Sequence, residues 1–196
     1  MDIGRKLYSF SEIYTILYKG IRTAPYLSKA KKIGVLDTDF VERIMLAVTE
    51  VNGCAICSYA HTKMALEVGM SNEEIQKMLS GVITDVPDNQ VQGIMFAQHY
   101  ADSRGNPSKE AWDRIIKIYH QEKSLGILGA IRIIMMGNAL GIPWSSFLGR
   151  IKGKPDERST FTYEIGGIIF GILLIPIAIV HSLIALIFKF KIINFQ

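Results

Sequence analysis

The sequence predicts an all-α protein, a compact bundle of six or seven helices followed by an apolar C-terminal segment. Two observations carry this. Apolar side chains recur every three or four residues along most of the chain, which places them on one face of a helix. The breaks between those stretches hold helix caps, glycines and prolines. No stretch shows the alternation expected of a half-buried strand.

Ile3, Leu7, Phe10, Ile13, Tyr14, Leu17 and Ile21 trace the first helical face, and Ala24-Pro25 is expected to end it because proline lacks the N–H an interior turn needs. Asp37, Thr38 and Asp39 offer N-caps for a helix over 40–51, which Asn52-Gly53 closes. A third helix opens at Cys54 and passes His61 and Leu66 to Gly69. Ser71-Asn72-Glu73-Glu74 has the spacing of a capping box and starts a fourth through Leu79, closed by Gly81. After the loop Asp85-Val86-Pro87-Asp88, helical patterns cover 91–101 and, past Ser103-Arg104-Gly105-Asn106-Pro107, 108–122. The stretch 125–140 is apolar almost all round, but it holds Arg132. A charge in mid-bilayer costs about 2.5–3.5 kcal/mol on insertion scales, so a buried core or subunit-contact helix is the better reading.

With 196 residues there is room for one ordinary domain and an appendage. Hydrophobic residues make up 49% and charged residues 20%, and the apolar excess sits at the end. Residues 165–188 contain no Lys, Arg, Asp or Glu, while residues 1–164 hold all 18 acids and 20 of the 22 bases, a net of +2. Such a mixed, nearly balanced body argues against nucleic acid as a partner. Near the N-terminus, Arg5, Lys6, Ser9, Glu12 and Lys19 interrupt any apolar run, so no cleaved secretion signal is expected.

The division that follows is an N-terminal helical extension (1–35), a central domain (36–150), a basic linker (151–164) and a transmembrane helix (165–188). At about 1.5 Å per residue the last segment exceeds a hydrocarbon core of roughly 30 Å. Arg150, Lys152, Lys154 and Arg158 precede it and only Lys189 and Lys191 follow. That bias favours a single-pass, tail-anchored protein with its body in the cytoplasm. Pro176 and His181 are the irregularities of the segment, and a buried or oligomer-forming helix is the competing reading.

The only two cysteines stand three residues apart, in Gly53-Cys54-Ala55-Ile56-Cys57-Ser58-Tyr59-Ala60-His61. A loop so short adds little as a structural staple, so the pair points to chemistry. At the start of a helix, unsatisfied N–H groups lower a thiol's pKa and favour the reactive thiolate. At 100° per residue, Cys54, Cys57 and His61 lie within about 60° of one another, so one imidazole addresses both sulfurs. Cys54, at the helix start, is expected to be the more exposed sulfur and to meet an oxidant, with Cys57, one turn from His61, as its partner. Competing readings are two small core thiols that happen to be three apart, or a metal site of Cys54, Cys57 and His61 with His99 or an acid as fourth ligand. No second cysteine pair is present to complete such a site.

Glu42, with eleven residues between it and Cys54-x-x-Cys57 and its His61, completes a pattern that resembles the redox branch of the alkylhydroperoxidase D and carboxymuconolactone decarboxylase superfamily. The surrounding Arg43-Ile44-Met45-Leu46-Ala47-Val48, Gly69-Met70-Ser71-Asn72-Glu73-Glu74-Ile75 and Gly137-Asn138-Ala139-Leu140-Gly141-Ile142-Pro143 extend the likeness over 36–150. The resemblance implies a helical domain that forms homotrimers or larger oligomers such as hexamers. It also implies a thiol-dependent peroxidase that reduces hydroperoxides while Cys54 and Cys57 cycle through a disulfide. No cofactor would be bound, and an external dithiol, thioredoxin-like or dihydrolipoyl-type donor would restore the thiols. Carried over, Glu42 orients or recharges His61, and His61 is the general base for Cys57. Some members carry a histidine between the cysteines, where this chain has Ile56. Lactone decarboxylation, which the superfamily name also suggests, needs no dithiol.

Among the remaining candidates, Glu50 reads as a solvated acid rather than a catalytic one, and His99 and His120 as surface or packing residues. Tyr59 and Trp112 read as packing. Arg132 and Asn138 need buried partners and are candidates for subunit bridges.

Overall fold

The computed structural model describes residues 6–195. Among them are seven helices and no strand: α1 (Phe10–Lys32), α2 (Thr38–Asn52), α3 (Ala55–Glu67), α4 (Asn72–Leu79), α5 (Asp88–Asp102), α6 (Lys109–Ile151) and α7 (Phe161–Ile187). The all-α expectation is met. The caps read from the sequence act as expected at α4, where the Ser71 hydroxyl accepts from the Glu74 N–H at 3.0 Å. Ser9 and Glu12 form a full capping box at α1, which the sequence reading overlooked because it began the first helix at Ile3. Ile3 lies outside the described residues, and Leu7 precedes the helix.

Two predicted helix ends are displaced by packing. α1 runs through Pro25 for seven more residues to Lys32, because its far half is pressed onto α6. A Cβ on Gly126 would lie 2.5 Å from Ala30 Cβ, and one on Gly129 2.9 Å from the Thr23 carbonyl oxygen. Tertiary contact of this closeness outweighs the local cost of a proline. The two helices expected over 108–122 and 125–140 meet within α6 at a kink, His120, whose φ of 58° and ψ of 170° are non-helical, so the break falls a few residues earlier than expected. Beyond the kink, Ile127, Leu128, Ala130, Ile131, Met135 and Ala139 are buried, in keeping with a core helix.

α7 does not stand apart from the body. It lies along α1 and α6, and the reason is a stripe of small residues. A Cβ on Gly167 would meet Pro143 Cγ at 2.6 Å, and one on Gly171 would meet Leu140 Cδ2 at 2.5 Å. Ala178, Ser182 and Ala185 continue the buried face. Polar contacts pin both ends and the middle. Arg150 donates to Glu164 at 2.8 and 2.9 Å, and Tyr14 and His181 share a hydrogen bond of 2.8 Å. Arg22 donates to the carbonyls of Phe190 and Lys191, and Arg132 to that of Ile192. The residues after α7 therefore return to the body, and the irregular His181 of the sequence reading is a docking residue. The opposite face of α7 exposes Ile172, Leu173, Ile177, Val180, Leu183, Leu186 and Ile187. By length and composition both α6 and α7 could cross a membrane, but α6 is mostly buried and α7 mostly exposed.

If the small stripe is what seats α7, Gly171→Leu should drive Leu140 aside and destabilise the oxidised protein by about 1–3 kcal/mol, the usual range for overpacking. Thermal unfolding of the detergent-solubilised protein measures this. An unchanged midpoint would show that α7 is not held where it is seen.

Candidate functional site

The site is assembled at the joint between α2 and α3. Gly53 ends α2 in the left-handed conformation, φ 69°, and its N–H donates to the Thr49 and Glu50 carbonyls. This sharp reversal suits glycine, and it sets Cys54 as the N-cap of α3 and Cys57 in its first turn. The two cysteines are joined as a disulfide, with Cα atoms 5.3 Å apart.

The exposures reverse one expectation. Cys54 is fully buried and Cys57 is 8% exposed. The cause is the tertiary neighbour: α6 passes directly over the disulfide at Gly141. A Cβ there would lie 2.8 Å from Cys54 Sγ, 3.0 Å from Ile56 Cγ2 and 3.1 Å from Cys57 Sγ. Cys54 caps the helix by position only, since its side chain makes no capping hydrogen bond.

His61, one turn beyond Cys57 on α3, is tied back to α2. Its Nδ1–H donates to Glu42 Oε2 at 2.8 Å. The histidine side chain is 15% exposed and the glutamate side chain 5%. A carboxylate on Nδ1 orients the ring and leaves Nε2 as the basic nitrogen, which suits a proton acceptor. Glu42 is held in register by its neighbour. Arg43 Nε donates to Glu74 Oε1 at 2.6 Å, its Nη1 to Gln90 Oε1 at 3.1 Å, and it pairs with Asp39. These contacts bind α2 to α4 and α5. The four residues picked from sequence spacing thus fall into two linked pairs: Cys54–Cys57 through sulfur, and Glu42–His61 through a hydrogen bond.

The other candidates divide. Glu50 is half-buried beside Gly81, and burial raises its carboxyl pKa above the ordinary range, with Lys6 opposing. It is neither fully solvated nor joined to the disulfide. Tyr59, expected to pack, is 77% exposed, because among the described residues nothing covers that face of α3. Trp112 packs on Phe96 as expected. His99 Nε2 accepts the Ser108 N–H at 3.2 Å, and His120 marks the kink of α6. Arg132 and Asn138 find partners inside the chain: Tyr100 and Ile192 for the first, Thr49 for the second. The sequence reading did not single out Gly141, because nothing in a local pattern says which helix will cross a cysteine pair. Among the described residues no group of three or more His, Cys, Asp or Glu is placed to share a metal ion.

Fold and site together define a helical-bundle protein with a Cys-x-x-Cys disulfide at a helix start and a buried Glu–His pair one turn on. Residues 23–91, from the second half of α1 into α5, match the model of the carboxymuconolactone decarboxylase family. The resemblance to the alkylhydroperoxidase D and carboxymuconolactone decarboxylase superfamily is shown over this segment, which contains Glu42, Cys54, Cys57 and His61. No curated protein and no solved structure matches the chain significantly.

Gly141→Ala would set a methyl group against both sulfurs. The oxidised protein is expected to lose about 1–3 kcal/mol of stability, as for other overpacked sites, whereas Gly137→Ala on the same helix, where a Cβ would meet only Ile134 Cδ1 at 3.8 Å, should cost far less. Denaturant unfolding of the two alanine variants makes the comparison.

Proposed function

We propose that this protein is a thiol-dependent peroxidase in which Cys54 and Cys57 alternate between dithiol and disulfide. The observation that carries the reading is the Glu42–His61 hydrogen bond, placed one helical turn from a Cys-x-x-Cys disulfide. A dithiol needs a base to form thiolate, and an imidazole oriented by a carboxylate is such a base.

The burial pattern supports Cys57 as the attacking sulfur. His61 takes the Cys57 proton, and the thiolate attacks the distal oxygen of a hydroperoxide. An S–O bond forms, the O–O bond breaks, and the alkoxide leaves as alcohol after taking a proton. The Cys57 sulfenic acid is then attacked by Cys54, which forms the disulfide and releases water. An external dithiol, thioredoxin-like or dihydrolipoyl-type, returns two electrons and two protons by exchange through a mixed disulfide. Cys54, enclosed under Gly141, suits the resolving role because its partner is one turn away and no outside reagent need reach it.

Association with a membrane is part of this reading, supported by the outer face of α7, a strip of isoleucine, leucine and valine side chains open along most of the helix. Contiguous exposed apolar surface of this kind marks a contact with lipid or protein. Lys152, Lys154 and Lys189, exposed near the two ends of α7, suit anionic headgroups. A lipid-facing location would bring the dithiol near hydroperoxides formed in acyl chains. Self-association into trimers or hexamers is a further part of this reading. It draws on the exposed Ile56 and Tyr59 of α3 and Trp144 of α6.

The reduced protein should lose both thiols on one equivalent of an organic hydroperoxide. Cys54→Ser should accumulate a trappable sulfenic acid at Cys57, and Cys57→Ser should react far more slowly. His61→Ala should slow thiol loss by about 10²–10⁴-fold, the usual contribution of a general base. Thiols of the parent protein that survive peroxide would reject the reading. Stoichiometric zinc in the purified protein would instead favour a metal-binding module.

A further inference from the structure

Away from the disulfide, α1, the turn between α5 and α6, and α6 enclose a cavity of about 230 Å³. Among the described residues Lys19, Arg104 and Arg132 all line it, against a single acid, Glu12. Glu12 is already committed, since Arg104 Nε donates to it at 2.6 Å. Among the described residues no carboxylate forms an ion pair with Lys19 or Arg132.

Their present partners are neutral. Lys19 Nζ donates to the Gly105 carbonyl at 2.9 Å. Arg132, 2% exposed, donates to the Tyr100 hydroxyl at 2.7 Å and to the Ile192 carbonyl at 2.9 Å. Burying a cation without a counter-charge is costly, and two side by side repel. Burial, with the charge of Arg132, pushes Lys19 down to about 8. A second cavity of about 280 Å³ shares Lys19 and Arg132, adds Arg22 and Lys191, and has no Asp or Glu in its wall among the described residues.

We propose that the cavity between α1, the α5–α6 turn and α6 is a binding site for a small organic anion, whose phosphate or carboxylate group is held by Lys19 and Arg132. A guanidinium fork and an ammonium both recognise such oxygens. Ile16 and Met135 supply an apolar wall for the rest of the molecule. The site is built from α1 and α6, outside most of the segment that matches the family model. Its action needs neither cysteine, so it stands or falls separately from the peroxidase reading.

The test is a calorimetric titration of the full chain in detergent, at constant ionic strength, with inorganic phosphate and separately with succinate. Lys19→Gln and Arg132→Gln are titrated alongside, with Lys63→Gln, an exposed residue, as control. Saturable binding of one probe or both, weakened at least tenfold in Lys19→Gln and Arg132→Gln and unchanged in Lys63→Gln, is expected. Phosphate alone would assign a phosphoryl group, and succinate alone a carboxylate. Lys19→Gln should melt no lower than the parent, because it removes one of two like charges, which separates loss of the site from loss of the fold. The proposal is overturned if neither probe binds saturably, or if Lys19→Gln binds as the parent does, whatever becomes of Arg132→Gln.

Discussion

The close approach of α6 to its neighbours underlies the whole arrangement. This helix packs against α1, α2, α3, α5 and α7, and several of those contacts are too near for an ordinary side chain. Gly126 and Gly129 admit α1, and Gly141 admits the disulfide. At Pro143 and Leu140 the small residue is on the other side, as Gly167 and Gly171 of α7. Helices that meet through small residues gain extensive dispersion contact between backbones, and their relative positions tolerate little drift. The cysteine pair is therefore located by a helix that begins more than fifty residues after it.

That constraint shapes the chemistry available. With α6 over the disulfide, Cys54 is fully buried and Cys57 retains 8% exposure. Glu42 is on α2 and His61 on α3, so their hydrogen bond also clamps the two helices that flank Gly53. Orientation of the imidazole and stability of the joint are consequently the same interaction. A buried carboxylate facing an imidazole costs solvation, and it is tolerated because the pair satisfies both groups.

The N- and C-terminal helices do more than extend the domain. α1 and α7 run together along α6, joined by Tyr14 and His181 in the middle and by Arg22 near the end. Tyr14 and His181 meet between the two helices, while an apolar face of α7 points outward. The same packing gathers Lys19, Arg104 and Arg132 around one cavity. Charge is thus concentrated on one side of α1, while the open hydrophobic strip runs along α7.

Local pattern was enough to read most of the helices, the Ser71 cap, the Gly53 break and the common face of Cys54, Cys57 and His61, because each depends on neighbours within a few turns. Cys54, Cys57 and His61 share one helix, so their spacing alone predicts a common face, and Glu42 entered through a family resemblance and lies within the matched segment 23–91. Local pattern failed where distant contacts overrode it. Pro25 does not end α1 because α6 holds the helix beyond it, and Cys54 is buried because Gly141 crosses it. Tyr59 is exposed because among the described residues nothing covers it, and α7 is docked because its small residues meet α6. The pairing of Lys19 with Arg132 lies beyond any sequence window. Periodicity and spacing report on a single helix, whereas burial, exposed sulfur and shared cavities depend on which helices come together.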